Sequence, residues 1–110
     1  MWVRSPRLLE TREAVLGALR GLAKELNATV YLFGGYARGD HMVDSDVDVV
    51  VVSEVFRSMG YAERVELVRL KLPPDFSFDI IPLTPDELAE RLKRGFFREI
   101  SRYWVQIRPD

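Results

Sequence analysis

Two aspartates, Asp46 and Asp48, stand two residues apart at the start of the valine-rich segment Val47–Val52. Side chains of a β-strand alternate between its faces, so these two carboxylates project from one face, about 6.6 Å apart along the strand. Like charges at this distance repel and favour proton uptake. A hard divalent cation removes the conflict, because Mg²⁺ prefers carboxylate oxygens. The spacing therefore indicates a metal site, with a capping or solvated role as the alternative.

A glycine pair, Gly34 and Gly35, follows the apolar segment 28–33. Without a Cβ, glycine lets its backbone N–H approach a ligand closely, and a turn of exposed N–H groups can bind an anion. A phosphate bound there would lie beside a metal held by Asp46 and Asp48. This combination is typical of a site for a nucleoside triphosphate with Mg²⁺. An ordinary turn that ends a strand is the alternative.

Three more side chains of this loop are candidates for contacts with a ligand. Arg38 is expected either to make charge-assisted hydrogen bonds to phosphate or to pair with Asp40 or Asp44. Tyr36 is predicted to pack at a helix start rather than to stack on a base. His41, the only histidine of the chain, is predicted to be an exposed loop residue.

A third carboxylate, Asp79, lies between Phe78 and Ile80 in a segment predicted to be a central strand. A buried carboxylate costs several kcal/mol unless it is paired or bound to a metal. Two metal ions roughly 3.5–4 Å apart would also need a further anionic ligand. Asp79 is therefore predicted to join Asp46 and Asp48, with a satisfied structural carboxylate as the alternative.

The whole pattern resembles the polymerase-beta-like nucleotidyltransferases. Their signature is glycine-serine, ten residues, then aspartate-x-aspartate, and here the glycine pair precedes Asp46-x-Asp48 by the same ten residues. The short chain is similar to the minimal nucleotidyltransferases, which are often encoded beside a HEPN-domain partner. The stronger match covers residues 30–53 and the weaker one residues 78–88. The usual serine is Gly35 here, and the arginine that often follows it is Tyr36.

The resemblance implies that Asp46, Asp48 and Asp79 are catalytic and hold two Mg²⁺ ions. Asp79 would lie near the acceptor hydroxyl. It also implies a group of nucleotide-binding residues, namely Gly34, Gly35, Arg38 and Ser45.

The implied reaction is transfer of AMP from ATP to a hydroxyl of a HEPN-type toxin, with this chain acting as the antitoxin. Two alternatives stay open. One is an antitoxin that neutralises its partner by binding alone. The other is an enzyme that modifies a small molecule such as an antibiotic.

The composition excludes several other classes of protein. The 110 residues fit a single domain, 1–110. The chain has no cysteine, which excludes disulfides, thiolate metal sites and a Cys nucleophile. No apolar run is long enough to span a membrane, and we expect a cytoplasmic protein.

The charge is uneven along the chain. The net charge is −1, but residues 91–108 carry six basic residues and one acidic residue, mixed with aromatic residues. Such a run forms a solvated face or a docking surface. We favour a protein partner over nucleic acid, because the whole chain is not basic.

The elements that must position these residues follow from periodicity. Helices are predicted at 7–26, with Ser5-Pro6 as the start signal, at 61–72, and from Thr84 to about Arg94, with Gly95 ending or kinking the last one. Thr84 is the predicted cap of the last helix, with Pro85 at its first position and Glu87 completing a capping box. Strands are predicted at 28–33, 47–52 and 76–83, and a short helix with a final edge strand within 96–108. The continuous valines predict a strand buried on both faces. The order indicates an α/β (α+β) fold, a small mixed sheet of three to four strands covered by helices.

Overall fold

The computed structural model describes residues 5–110 as a four-stranded mixed sheet with helices packed on both faces. The strands lie in the order β3-β2-β1-β4. Strand β2 is parallel to β3, and β1 is antiparallel to both β2 and β4. The predicted fold class is confirmed.

In chain order the elements are α1 (Pro6–Leu26), β1 (Thr29–Phe33), α2 (Gly34–Arg38), β2 (Val47–Val52), a 3₁₀ turn (Glu54–Phe56), α3 (Tyr61–Leu70), β3 (Phe78–Leu83), α4 (Pro85–Arg91), α5 (Gly95–Ile100) and β4 (Val105–Ile107).

Strand β2 separates two hydrophobic cores. Its odd-numbered valines, such as Val49, pack in a cluster with buried residues of α1 and α3. Val50 and Val52 pack in a second cluster with residues of α4 and α5. This confirms that the valine run is buried on both faces, as predicted. The exposed Asp46 and the half-buried Asp48 lie at the start of this otherwise buried strand.

The first helix carries the start signal that its sequence predicts. The Ser5 side chain accepts a hydrogen bond from the backbone N–H of Leu8, and Pro6 takes the first helical position. Asn27 ends the helix in the left-handed conformation, with φ at 46°. Among residues 5–110, none of the helices has the length and apolar character that a membrane span requires.

The predicted boundaries were wrong in the C-terminal half. Helix α3 ends at Leu70 instead of residue 72, and α4 ends at Arg91 instead of about Arg94. Gly95 begins the next helix rather than ending the last one, because Arg94 is extended and separates the two helices; Arg94 is the N-cap residue of α5 and makes no side-chain cap hydrogen bond. The chain thus forms two short helices that both contribute to the second core.

The predicted cap of α4 is confirmed and is coupled to a partly buried ion pair. The Thr84 side chain accepts a hydrogen bond from the Glu87 backbone N–H, and Glu87 Oε1 accepts one from the Thr84 N–H at 2.8 Å. Glu87 Oε1 also accepts a 2.6 Å hydrogen bond from Nη1 of Arg64, which is buried. The Arg64 guanidinium and the Thr84 N–H together hold the pKa of Glu87 below its usual value.

We expect Glu87→Ala to lower the free energy of unfolding by about 2 kcal/mol, because it leaves a buried guanidinium unpaired and removes a helix cap. Glu90→Ala is the matched control, since Glu90 forms only an exposed pair with Lys93. The control should cost less than about 0.5 kcal/mol. Urea denaturation followed by circular dichroism measures both, and equal losses would contradict the role assigned to Glu87.

Candidate active site

One end of the sheet gathers residues that are far apart in the sequence. Because β1 is antiparallel to β2 and β4, and β2 is parallel to β3, the end of β1 meets the starts of the other three strands. Helix α2 leaves the sheet at this end, and the loop after it returns to β2. Every residue predicted for the site lies on α2, this loop or the starts of β2 and β3.

The structure places two of the predicted carboxylates on neighbouring strands. Asp48 is the register partner of Asp79 across β2 and β3, and of Phe33 across β2 and β1. Residues paired in register project from the same face. Asp48 shares its face with Val50, so this is the face covered further along by α4 and α5. The predicted adjacency of the two strands is confirmed.

The burial predicted for Asp79 was wrong. Strand β3 is the outermost strand of the sheet rather than a central one, and Asp79 is exposed. Apolar neighbours in the sequence misled this inference, because Phe78 and Ile80 face the opposite core. Asp79 thus stands at the open edge of the site, beside the half-buried Asp48.

Burial and neighbouring negative charges both disfavour the ionised form of the Asp48 carboxyl group. Burial raises the pKa of Asp48 first, and the negative charges of Asp79 and then Asp46 raise it further. A hydrogen bond with Asp79 acts in the same direction, and the positive charge of Arg38 opposes it. These groups therefore lie close enough to act on one another.

Asp46 reaches the site from a closed turn rather than from the strand. It precedes β2 and is exposed, whereas the sequence suggested that it opens the strand. The Ser45 Oγ accepts a 2.7 Å hydrogen bond from the Met42 N–H, and the Ser45 N–H donates to the Met42 carbonyl at 3.1 Å. This hydrogen-bonded turn places Asp46 immediately before β2. The nucleotide-binding role of Ser45 stays a prediction.

The glycine turn touches the carboxylates directly. Gly34 has a φ of +71°, and a Cβ at this position would overlap Oδ2 of Asp48. At Gly35 a Cβ would lie 3.2 Å from Oδ1 of Asp40 and 3.4 Å from the Cα of His41. The returning loop packs tightly on this residue, which gives a physical reason for glycine where the family has serine. Helix α2 also begins at Gly34, two residues earlier than the sequence suggested.

Arg38 joins the turn to the C-terminal part of the chain. Its Nε donates to Oδ2 of Asp40 at 3.1 Å, which is one of the pairings that the sequence left open. Its Nη1 donates to the Tyr103 hydroxyl at 3.2 Å, and the same hydroxyl accepts a 3.3 Å hydrogen bond from the Gly34 N–H. Sequence reasoning did not single out Tyr103 for the site. No local pattern links it to a loop more than 60 residues away.

The prediction that His41 is exposed was wrong. Only 1% of the residue is exposed, and its Nε2 lies 2.9 Å from the Leu8 carbonyl oxygen. Its ring stacks on Tyr36, with ring centroids 4.2 Å apart. The burial of Tyr36, which raises the pKa of its phenol, confirms that this residue packs. A polar loop sequence gives no sign that α1 covers it, and these contacts hold the loop in place.

The donor set suits a hard divalent cation. Carboxylate oxygens are the ligands that Mg²⁺ prefers, and a cation would relieve the repulsion that raises the pKa of Asp48. Among the described residues, 5–110, no group of three or more histidine, cysteine, aspartate or glutamate side chains is arranged to hold a metal ion. The in-register pair of Asp48 and Asp79 is therefore the part of the predicted ligand set that the structure brings together, and the role of Asp46 as a third ligand stays a prediction.

Comparison with known proteins identifies the class. The family model of the nucleotidyltransferase domain matches residues 13–108, so the chain belongs to the nucleotidyltransferase family. The chain is 30% identical over 78 residues to a candidate protein adenylyltransferase of Methanocaldococcus jannaschii, over 71% of this chain and 76% of that protein. The resemblance drawn from the glycine pair and Asp46-x-Asp48 is confirmed, and the protein is a nucleotidyltransferase.

The fold of a solved structure agrees with this assignment. A candidate nucleotidyltransferase from Sulfolobus solfataricus superposes with a TM-score of 0.66 at 22% identity. The match covers 96% of this chain and 90% of that one.

Proposed function

We propose that the protein is a Mg²⁺-dependent enzyme that transfers AMP from ATP to a hydroxyl group of a partner protein. The observation that carries this proposal is the in-register pair of Asp48 and Asp79, with Gly34 packed against Asp48. The name of the Methanocaldococcus relative supports a protein as the acceptor.

Each residue of the site has a role in this reaction. Asp46, Asp48 and Asp79 would hold two Mg²⁺ ions, which supply charge neutralisation at the phosphates when bound. The acceptor oxygen attacks the α-phosphorus, the bond to the leaving pyrophosphate breaks, and AMP stays on the acceptor. Asp79 is exposed at the outer strand, so it is accessible to an arriving hydroxyl and suited to take its proton.

The nucleotide would be held on the opposite side of the carboxylates. Gly34 packs against Asp48 there, and the positive charge of Arg38 acts on the same carboxyl group. Gly35 follows in the turn, against Asp40 and His41. Ser45 shapes the turn that positions Asp46, which is how its hydroxyl would contribute. Because ATP is the donor, we place the reaction in the cytoplasm.

The proposed acceptor is a HEPN-type toxin, which would make this protein the antitoxin of the pair. The surface beside the site supports a protein partner. Phe96 is 56% exposed and packs edge-on against Phe33, the register partner of Asp48, with ring centroids 5.8 Å apart. Nearby, three exposed arginines form no ion pair with any residue in 5–110, and they would suit an acidic protein surface: Arg91, Arg94 and Arg98.

A labelling assay tests the proposal. The protein is incubated with Mg²⁺, the protein encoded by the neighbouring gene as the candidate acceptor, and ATP labelled at either the α- or the γ-phosphate. We expect the α-label to reach the partner and to survive denaturing electrophoresis, while the γ-label does not. We expect Asp46→Asn to abolish labelling, and Asp44→Asn, a change at an exposed loop residue, to preserve it.

The other outcomes separate the alternatives. Transfer of the γ-label would indicate a kinase. Unchanged labelling in Asp46→Asn would refute the site. If the toxin is still neutralised by Asp46→Asn while no label is transferred, the protein is an antitoxin that acts by binding alone.

A further inference from the structure

The hydroxyl of Tyr103 has a hydrogen-bonding arrangement that leaves its proton available. Its oxygen accepts two hydrogen bonds, at 3.3 Å from the Gly34 N–H and at 3.2 Å from Arg38 Nη1. A phenol that accepts two N–H groups still has its own proton to donate. Among residues 5–110, no group accepts that proton, and the residue is only half-buried.

The surroundings of this hydroxyl indicate what could accept the proton. The turn begins with two glycines, so these two positions carry no side-chain hydroxyl, and the hydroxyl of Tyr36 that follows them is buried. Gly34 packs against Asp48 through its Cα and donates to Tyr103 through its N–H. The Tyr103 hydroxyl and the carboxylate of Asp48 therefore flank the same residue.

A positive charge lies at the same place. Arg38 is held by Asp40 on one side, and its guanidinium carbon lies 5.5 Å from the centroid of the Tyr103 ring. A guanidinium and a hydroxyl donor beside a carboxylate suited to Mg²⁺ fit an anionic oxygen that also binds the metal. The oxygens of a nucleotide polyphosphate have this chemistry.

We propose that Tyr103 binds the polyphosphate of the nucleotide, donating its hydroxyl proton to a phosphate oxygen beside Arg38. The inference rests on the proposed function and adds to it. The C-terminal segment thereby supplies to the nucleotide site the hydroxyl that the glycine turn lacks.

The test is Tyr103→Phe, which removes one oxygen and keeps the ring. Binding of ATP and of inorganic tripolyphosphate, each with Mg²⁺, is measured by calorimetry. Loss of one hydrogen bond to a charged group should weaken both ligands about tenfold. Tyr61→Phe is the matched control. Tyr61 is exposed on α3, so this variant should bind both ligands as tightly as the unchanged protein.

Each other outcome overturns the inference. A structural role alone would lower the melting temperature of Tyr103→Phe and leave both affinities unchanged. Weaker binding of ATP with unchanged binding of tripolyphosphate would exclude the phosphates as the contact. If the unchanged protein binds neither ligand, the proposed function fails as well, whereas equal binding by both proteins overturns only the role of Tyr103.

Discussion

Asp48→Asn is expected to abolish nucleotidyl transfer and to stabilise the protein at neutral pH. The loss of activity follows from the position of Asp48 between the other two carboxylates and against Gly34. An amide removes a negative ligand, and metal stabilisation worth several kcal/mol corresponds to roughly a thousandfold in rate. Transfer of α-labelled AMP measures this effect.

The same substitution should increase stability, because folding holds the charged Asp48 carboxylate near other negative charges that repel it. Burial and the charges of Asp79 and Asp46 raise the pKa of Asp48 in the folded protein. Between its ordinary pKa, about 3.9, and this raised pKa, the folded protein binds more protons than the unfolded chain. Stability is therefore lost as the pH rises from the ordinary pKa through the folded pKa.

The substitution should therefore raise the free energy of unfolding at pH 7 by roughly 0.5 kcal/mol, the size of a partly solvated charge interaction. The gain should vanish below the ordinary pKa, where Asp48 is protonated in both states. Denaturant unfolding in EDTA at the two pH values measures it. Asp75→Asn, at an exposed residue of the turn before β3, should change neither activity nor stability. A variant that lost stability at pH 7 would contradict this account.

Gly34→Ala is expected to lose activity about a hundredfold, because displacing a reacting group by ~1 Å has an effect of this size. The new methyl group would overlap Oδ2 of Asp48 and force the carboxylate to move. Overpacking of this kind costs about 1–3 kcal/mol of stability, added to the strain of a left-handed alanine.

Gly39→Ala separates these two causes. Gly39 has a φ of +83°, so alanine there carries similar backbone strain, but nothing lies within 4 Å of the added Cβ. We expect this variant to lose about 1 kcal/mol of stability and to keep its rate of transfer. Equal rates for the two variants would show that the contact between Gly34 and Asp48 is not needed for activity.

The parts of the fold that the sequence could predict are those with local signals. The valine run predicted a strand between two cores, and Thr84 with Glu87 predicted a capped helix, because periodicity and capping depend on neighbouring residues. The adjacency of Asp48 and Asp79 could also be predicted, since the two strands were expected to be neighbours.

Features that depend on distant contacts could not be predicted. His41 is buried because α1 lies over its loop, and Asp79 is exposed because β3 has no strand beyond it. Tyr103 reaches Gly34 only because β4 runs antiparallel to β1. The segment before β4, which contains Tyr103, therefore lies at the same end of the sheet as the end of β1. The residues that flank these positions in the sequence do not indicate which distant segments pack against them.

The parallel register of β2 and β3 also sets how this site tolerates insertions and deletions. A one-residue slip along a strand turns every side chain to the other face, and here it would move Asp79 from beside Asp48 to the side of the sheet covered by α1 and α3. The loop before β3 can change length without this effect, provided that the pairing is kept. Insertions or deletions within β2 or β3 would therefore separate the two carboxylates, whereas a change in the length of the loop before β3 would leave them paired.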